Sequence, residues 1–304
     1  MVRDDKILVI ITCITYNHEN YIRDCLNGFV MQKTNFRFIA IVHDDCSTDK
    51  TKTLLREYAD KYPDIIKPIY ETENQWSKYD GSLERIMNEA IAATGARYIA
   101  MCEGDDYWTD PYKLQKQVDY MEAHSECAIC FHPVMVHDQR IGEDHPDTLE
   151  QVSMITTAKD LAKIGNYIHT PSVMYRYNME VNKKLEQLGR FGVGDYLLYL
   201  LYAQHGNICK LPDYMAVYRQ GVGVWSGNKV PYKTDIQWLI AIAKVSAIID
   251  DIETKRMLDE QIQTYADSIL DGIQSAQKEA IETRQSKAYR LGKMLLKPFN
   301  WLKK

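Results

Sequence analysis

No apolar run in this 304-residue chain is long enough to cross a membrane, so an integral membrane protein is not expected. The opening residues, Met1-Val2-Arg3-Asp4-Asp5, lack the form of a secretory leader. Internal repeats and low-complexity tracts are also missing. Charge of one sign is scarce: a net charge of -5 argues against nucleic acid as a partner. The seven cysteines are odd in number and scattered, and Cys13, Cys102 and Cys130 lie inside apolar runs. Reduced core thiols in a cytoplasmic protein are expected, not a disulfide framework. Cys127-Ala128-Ile129-Cys130 has CxxC spacing but no second pair, so neither zinc nor redox chemistry is expected there.

What is present is concentrated in one stretch. Tyr98-Ile99-Ala100-Met101-Cys102 reads as a short buried strand, followed by Glu103, Asp105 and Asp106 with only Gly104 between them. Pro111 then opens a helical pattern with Leu114, Val118 and Met121 on one face. The acids thus fall on a strand-to-helix turn, at the strand end where open α/β sheets bind ligands. Crowding carboxylates is costly unless a cation shares the site. Hard divalent ions take one or two carboxylates and complete their shell with water and phosphate oxygens. The other reading of the stretch alone is a solvated acidic turn at a helix N-terminus.

In chain order, Ile7 to Thr12 is a continuous apolar strand, and a helix with Ile22, Leu26, Phe29 and Val30 inward follows Thr15-Tyr16-Asn17-His18. A second strand, Phe38 to Val42, runs into His43-Asp44-Asp45-Cys46-Ser47-Thr48-Asp49, where Ser47 or Thr48 is expected to cap the next helix. A third strand is expected near Ile65 to Tyr70, then a helix from Ser82 to Thr94 that stops at Gly95. Strict alternation predicts βαβ units and a parallel sheet, with the two acid-bearing turns on the same edge.

The run I-T-Y-N, then D-D-C-S-T-D, then E-G-D-D-Y-W-x-D-P-x-K-L resembles family 2 glycosyltransferases of the GT-A fold, over about Ile7 to Phe131. The resemblance implies an α/β class: a Rossmann-like, mostly parallel sheet with flanking helices. It also implies sugar transfer with inversion from a nucleotide diphosphosugar, and Mn²⁺ or Mg²⁺ as cofactor. By position, Tyr16, with Thr15 and Asn17 beside it, lies against the base, and Asp45 accepts the base N–H. Asp105 and Asp106 form the pair that meets ribose and the metal–diphosphate. Glu103 stands where the family has an aspartate. Arg85, on the helix before the acid strand, is either a diphosphate contact or a plain exposed arginine.

Beyond Phe131 a polar, acidic stretch from His137 to Gln151 reads as a mobile acceptor loop. Gly165 to Arg176 resembles the segment lining the donor-sugar pocket, with His169 as a pocket wall or a metal ligand. Asp195, in Gly192-Val193-Gly194-Asp195, begins a helix with Leu197, Leu198, Leu201 and Tyr202. Locally it reads as a cap; the resemblance makes it the catalytic base. Val217 to Ser226 reads as a glycine-rich lid carrying Arg219 for phosphate and Trp225 for sugar, or simply as a turn.

From residue 231 a helical extension is expected, with apolar stripes at Trp238, Ile242, Val245, Ile249 and at Leu258, Ile262, Tyr265, Ile269, Ile273. These suit core contacts or a second copy of the chain. Arg284, Lys287, Arg290, Lys293, Lys297, Lys303 and Lys304 occur with no acid among them after Arg284, opposite Leu291, Leu295 and Leu296 and near Phe299 and Trp301. Such a tail suits an anionic membrane surface, or packs on its own domain. The expected organisation is a glycosyltransferase domain over 1–230, divided at 131, and a helical extension over 231–304. It would act at the inner membrane face on a glycan or lipid-linked acceptor. A non-catalytic nucleotide-sugar-binding protein and a sugar nucleotidyltransferase are the alternatives. The latter typically has a glycine-rich, lysine-bearing loop after its first strand, and Ile14-Thr15-Tyr16-Asn17-His18 is not one.

Overall fold

The computed structural model describes residues 6–188, 194–222, 231–286 and 291. The apolar runs become the central strands β1 (Ile7–Thr15), β2 (Arg37–Asp44), β3 (Ile66–Tyr70) and β4 (Tyr98–Met101), linked by helices α1 (Ile22–Val30), α2 (Thr51–Lys61) and α3 (Ser82–Ala92). These strands are parallel in the order β3-β2-β1-β4, with Thr15 opposite Asp44 and Thr12 opposite Met101. The order reverses between β1 and β4, and the acid turn lies at that switch point.

Alternation along the strands feeds two cores. Ile10, Ile39, Ile41 and Ile99 lie in one, while Val9, Ile11, Ala40, Val42 and Ala100 lie in the other. Burial on both faces explains why these strands read as unbroken apolar runs. Beyond β4 come β5 (Tyr107–Trp108), α4 (Lys113–Ala123), β6 (Cys127–Phe131), β7 (Met135–Asp138), β8 (Glu143–Pro146) and β9 (Ile155–Thr156). They are followed by α5 (Ala158–Ile164), β10 (Met174–Arg176), α6 (Met179–Leu188), α7 (Gly194–Tyr202), β11 (Asn207–Lys210) and β12 (Ala216–Gln220). The main sheet continues β4-β10-β6-β11-β9, with β10 antiparallel to both neighbours. A second sheet, β5-β12-β7-β8, stands over the acid turn.

Three local expectations change. The stretch expected as a mobile loop contains the hairpin β7–β8. Its second strand is exposed throughout, so it has no apolar period to read. Helix α2 is not capped by Ser47 or Thr48: Asp49 Oδ1 accepts the Thr51 N–H at 2.9 Å, while Ser47 Oγ accepts from Asn17 N. Helix α4 begins at Lys113, two residues after Pro111.

The carboxyl-terminal helices are α8 (Pro231–Ser246) and α9 (Ile252–Gln285). Ile242, Val245 and Leu258 are fully buried in the same core as α7. After Tyr265 the second stripe leaves that core, and Leu270, Ile273 and Ile281 are exposed. No helix among the described residues is long and apolar enough to cross a membrane.

Candidate active site

The acid turn lies hard against the end of β1. Cys102 N donates to Thr12 O at 3.1 Å and Gly104 N to Ile14 O at 3.0 Å. A Cβ at Gly104 would stand 2.6 Å from Thr15 Oγ1 and 2.8 Å from His18 Nδ1, so only glycine lets the turn pass. Thr15 Oγ1 and His18 Nδ1 are buried and carry no hydrogen bond.

Asp106 is buried, and its Oδ1 accepts the Arg219 backbone N–H at 2.7 Å. Burial and the neighbouring Asp105 charge push its carboxyl well above the usual range. Glu103 is pushed up to about 8 by burial, Asp105 and Asp195, against a hydrogen bond from the Ile14 backbone. Carboxyls raised in this way mark negative charge that lacks compensation. Among the described residues no group of three His, Cys, Asp or Glu is arranged to hold a metal by itself. The adjacent Asp105 and Asp106 nevertheless fit a Mg²⁺- or Mn²⁺-type ion, which draws its remaining ligands from water and phosphate.

Arg219 differs from expectation. It lies on strand β12 rather than on a lid, and it is buried. Its guanidinium donates to Asp105 O at 2.7 Å and to Asp24 Oδ2 at 2.5 Å, over the rings of Tyr107 and Tyr21. With these partners it fixes the acid turn and is not a free phosphate clamp. Trp225, the other expected lid residue, lies outside the described residues, as do Gly192 and most of the basic tail.

Asp195 sits in the first turn of α7, half-buried, with Asn166 Nδ2 donating to its Oδ2 at 2.9 Å. Burial raises its pKa, while the Tyr196 N–H and Asn166 oppose the rise. Its charge raises Glu103, the buried Tyr199 and Tyr218, so this carboxylate lies in the neighbourhood of the acid turn. Tyr218 responds to Asp106, Asp105 and Asp195 at once, and its ring lies 4.6 Å from that of His169.

The expected base-binding residues line the β1 and β2 strand ends. Tyr16 is 43% exposed, whereas Thr15 is buried. Asn17, in the left-handed region at φ 55°, accepts the Thr48 N–H at 2.8 Å and so ties the two loops together. Asp45 is buried and accepts from Gln75 N at 2.7 Å and Trp76 N at 2.9 Å. Arg85 lies exposed on α3 and donates to Asp80 O, and no described contact joins it to the acids. His18, Asn166, Tyr199 and Tyr218 join the expected site residues. Asn166 and Tyr218 fall within the stretches 165–176 and 217–226 and His18 lies close to Tyr16 in sequence, whereas the place of Tyr199 depends on long-range packing.

A family model described as "Glycosyl transferase family 2" matches residues 9–185. The chain belongs to that family. Over 220 residues it is 38% identical to the uncharacterized protein Rv1520 of Mycobacterium tuberculosis (strain ATCC 25618 / H37Rv), covering 71% of this chain and 60% of that protein. Over 126 residues it is 32% identical to the putative teichuronic acid biosynthesis glycosyltransferase TuaG of Bacillus subtilis (strain 168), covering 41% and 46%. The chain thus spans about 60% of the length of the first of these relatives. In fold it resembles S. aureus TarS 1-349 in complex with UDP-GlcNAc, with a TM-score of 0.61 at 18% identity over 86% of this chain and 72% of that one. It also resembles the mannosyltransferase PcManGT from Pyrobaculum calidifontis in complex with GDP-Man and Mn2+, with a TM-score of 0.58 at 18% identity over 95% and 83%. The family 2 glycosyltransferase assignment and its GT-A fold hold; at these identities the structural likeness is one of fold.

Proposed function

We propose that the protein is an inverting, metal-dependent glycosyltransferase. In this reading it moves a sugar from a nucleotide diphosphosugar, a UDP-sugar, to a hydroxyl of a growing, lipid-linked surface glycan. The observation that supports the reading is that the Asp195 carboxylate lies near enough to the acid turn for its charge to raise the Glu103 carboxyl. Family membership, a relative named for teichuronic acid biosynthesis and neighbours bound to UDP-GlcNAc or GDP-Man support the donor and acceptor classes.

A sugar hydroxyl attacks C1 too weakly unless its proton is taken as the bond forms. Asp195 is assigned that role. Burial makes it a stronger base than an exposed aspartate, and Asn166 with the Tyr196 N–H keeps it oriented. The nucleoside diphosphate leaves from the opposite face of the sugar, which inverts the configuration at C1. A divalent ion held by Asp106 and Asp105 would stabilise charge on the departing diphosphate. Tyr16, with Thr15 and Asn17, is assigned to the base and Asp105 to the ribose. Asp45 is held in place by the Gln75 and Trp76 amides and keeps lone pairs for a base N–H.

Incubation with a panel of nucleotide sugars and Mn²⁺ should release nucleoside diphosphate. Asp106→Ala or EDTA should abolish that release. Release from none of the donors would sink the transferase reading, and full activity in EDTA would sink the metal.

Catalysis is assigned to residues 1–230 and attachment to 231–304, with α8 and α9 able to pair two copies. The basic tail would lie on anionic lipid, each cation near the surface contributing about 1 kcal/mol. Truncation after Thr283 should abolish co-sedimentation with anionic vesicles while sparing donor hydrolysis. A truncated chain that still pellets would place the anchor elsewhere. Light scattering checks the pairing, and a monomer mass at high concentration would exclude it.

A further inference from the structure

A cleft of about 320 Å³ opens on the Asn166 side of Asp195, between the β7–β8 hairpin, the start of α5's following loop and β12. Its volume lies at the lower end of small-molecule sites, which run from about 300 to 1,000 Å³. Asn166 and Tyr218 are shared walls: one binds Asp195 and the other feels the charges of Asp195, Asp105 and Asp106. Through Asn166 and Tyr218 the cleft borders the neighbourhood of Asp195.

Among the described lining residues Asp147 is the only acid and there is neither lysine nor arginine, the remaining titratable groups being His145, His169, Tyr167 and Tyr218. The Asp147 side chain is 5% exposed; its Oδ2 accepts the Val134 N–H at 3.1 Å and its Oδ1 carries no hydrogen bond. His169 Nε2 stands 3.9 Å from Asp147 Oδ2, beyond hydrogen-bond reach and open to a bridging hydroxyl. Burial pushes the His169 imidazole down to about 4, so it is neutral at physiological pH. Lys210, which donates to the carbonyls of Leu149 and Val152, and His145 act on the Asp147 carboxyl by their charge, while Arg140 pairs with Asp138.

We propose that this cleft is the acceptor subsite and that it selects a neutral pyranose over a uronate or a polyol phosphate. The His169–Tyr218 pair forms an aromatic wall for the ring, and His169, Gln220 and Asp147 engage its hydroxyls. An anionic acceptor would face Asp147 with no lysine or arginine among the described lining residues to pair with it directly, a penalty that works by exclusion. The proposal rests on the transferase reading for the word acceptor, but the binding it asserts does not.

The test uses the full chain and saturation-transfer NMR. The probes are methyl β-glucoside and methyl β-galactoside against methyl β-glucuronide and glycerol 3-phosphate. The wild type should bind a neutral glycoside and neither anion. Asp147→Asn keeps an acceptor for the Val134 N–H; it should weaken the neutral glycoside about tenfold and narrow the discrimination against anions. His169→Phe, which keeps a ring against Tyr218, should weaken the same glycoside. Melting curves establish that each variant is folded. Anions binding as well as neutral glycosides, or an unchanged Asp147→Asn profile, would overturn the assignment. Glycoside binding without nucleotide release from any donor would keep the cleft and sink the transferase reading. Release without glycoside binding would do the reverse.

Discussion

Asn166 donates its side-chain amide to Asp195 Oδ2 at 2.9 Å and so ties the head of α7 to the segment that follows α5. A hydrogen bond to the charged form of a carboxyl lowers its pKa. Asn166→Ala removes that support, so the acid limb of turnover should move to higher pH. Asp195→Asn removes the proposed base and should cut turnover by roughly 10²–10⁴-fold with donor affinity nearly intact. Turnover against pH and donor binding on the same preparations check both; an unmoved limb in Asn166→Ala would mean the amide does not tune Asp195.

Gly104 is the second point of sensitivity. An added Cβ would lie 2.6 Å from Thr15 Oγ1 and 2.7 Å from Thr15 Cβ, on the spine of the central strand, where neither neighbour is a flexible chain end. Overpacking of this kind costs about 1–3 kcal/mol. Gly104→Ala should lower the melting temperature by several degrees and weaken nucleotide diphosphate binding. A normal melting curve with normal nucleotide binding would show that the turn has room to shift.

Lys113 gives a stability prediction with a defined sign. It is fully buried, donates to Gln117 Oε1 at 2.7 Å and lies 4.2 Å over the Trp108 ring. Burial pushes its pKa down to about 7, against about 10.4 for an unfolded lysine. Between those values the unfolded chain holds a proton that the folded chain has shed, so this group makes stability rise with pH. Lys113→Met removes the slope. Its melting temperature, relative to the wild type, should stand highest at pH 7 and below and fall back towards pH 9. The Cys102 thiol, pushed up to about 11, stays protonated through that window. A difference that does not vary with pH would show that Lys113 stays charged when folded.

The amino-terminal half was legible because its information is local. Each central strand is an apolar run buried on both faces, and the acids begin where the run stops. What escaped was set by distant partners. The three residues of β10 are antiparallel between strands from separate parts of the chain, and nothing in Met174-Tyr175-Arg176 states that register. Arg219 looked like part of a loop because glycines follow it, yet β7 and β5 capture its strand. Asp147 lay in a polar stretch whose exposed second strand, β8, has no apolar period.

The anchoring of Asp106 by the Arg219 backbone has a consequence for how the site comes into being. The family match ends at residue 185, whereas Asp195 and β12 come later in the chain. During synthesis the acid-bearing turn therefore leaves the ribosome well before the strand that fixes it and before Asp195. A nascent or clipped chain ending near residue 185 would carry the whole of the matched family region and still lack the strand that holds Asp106.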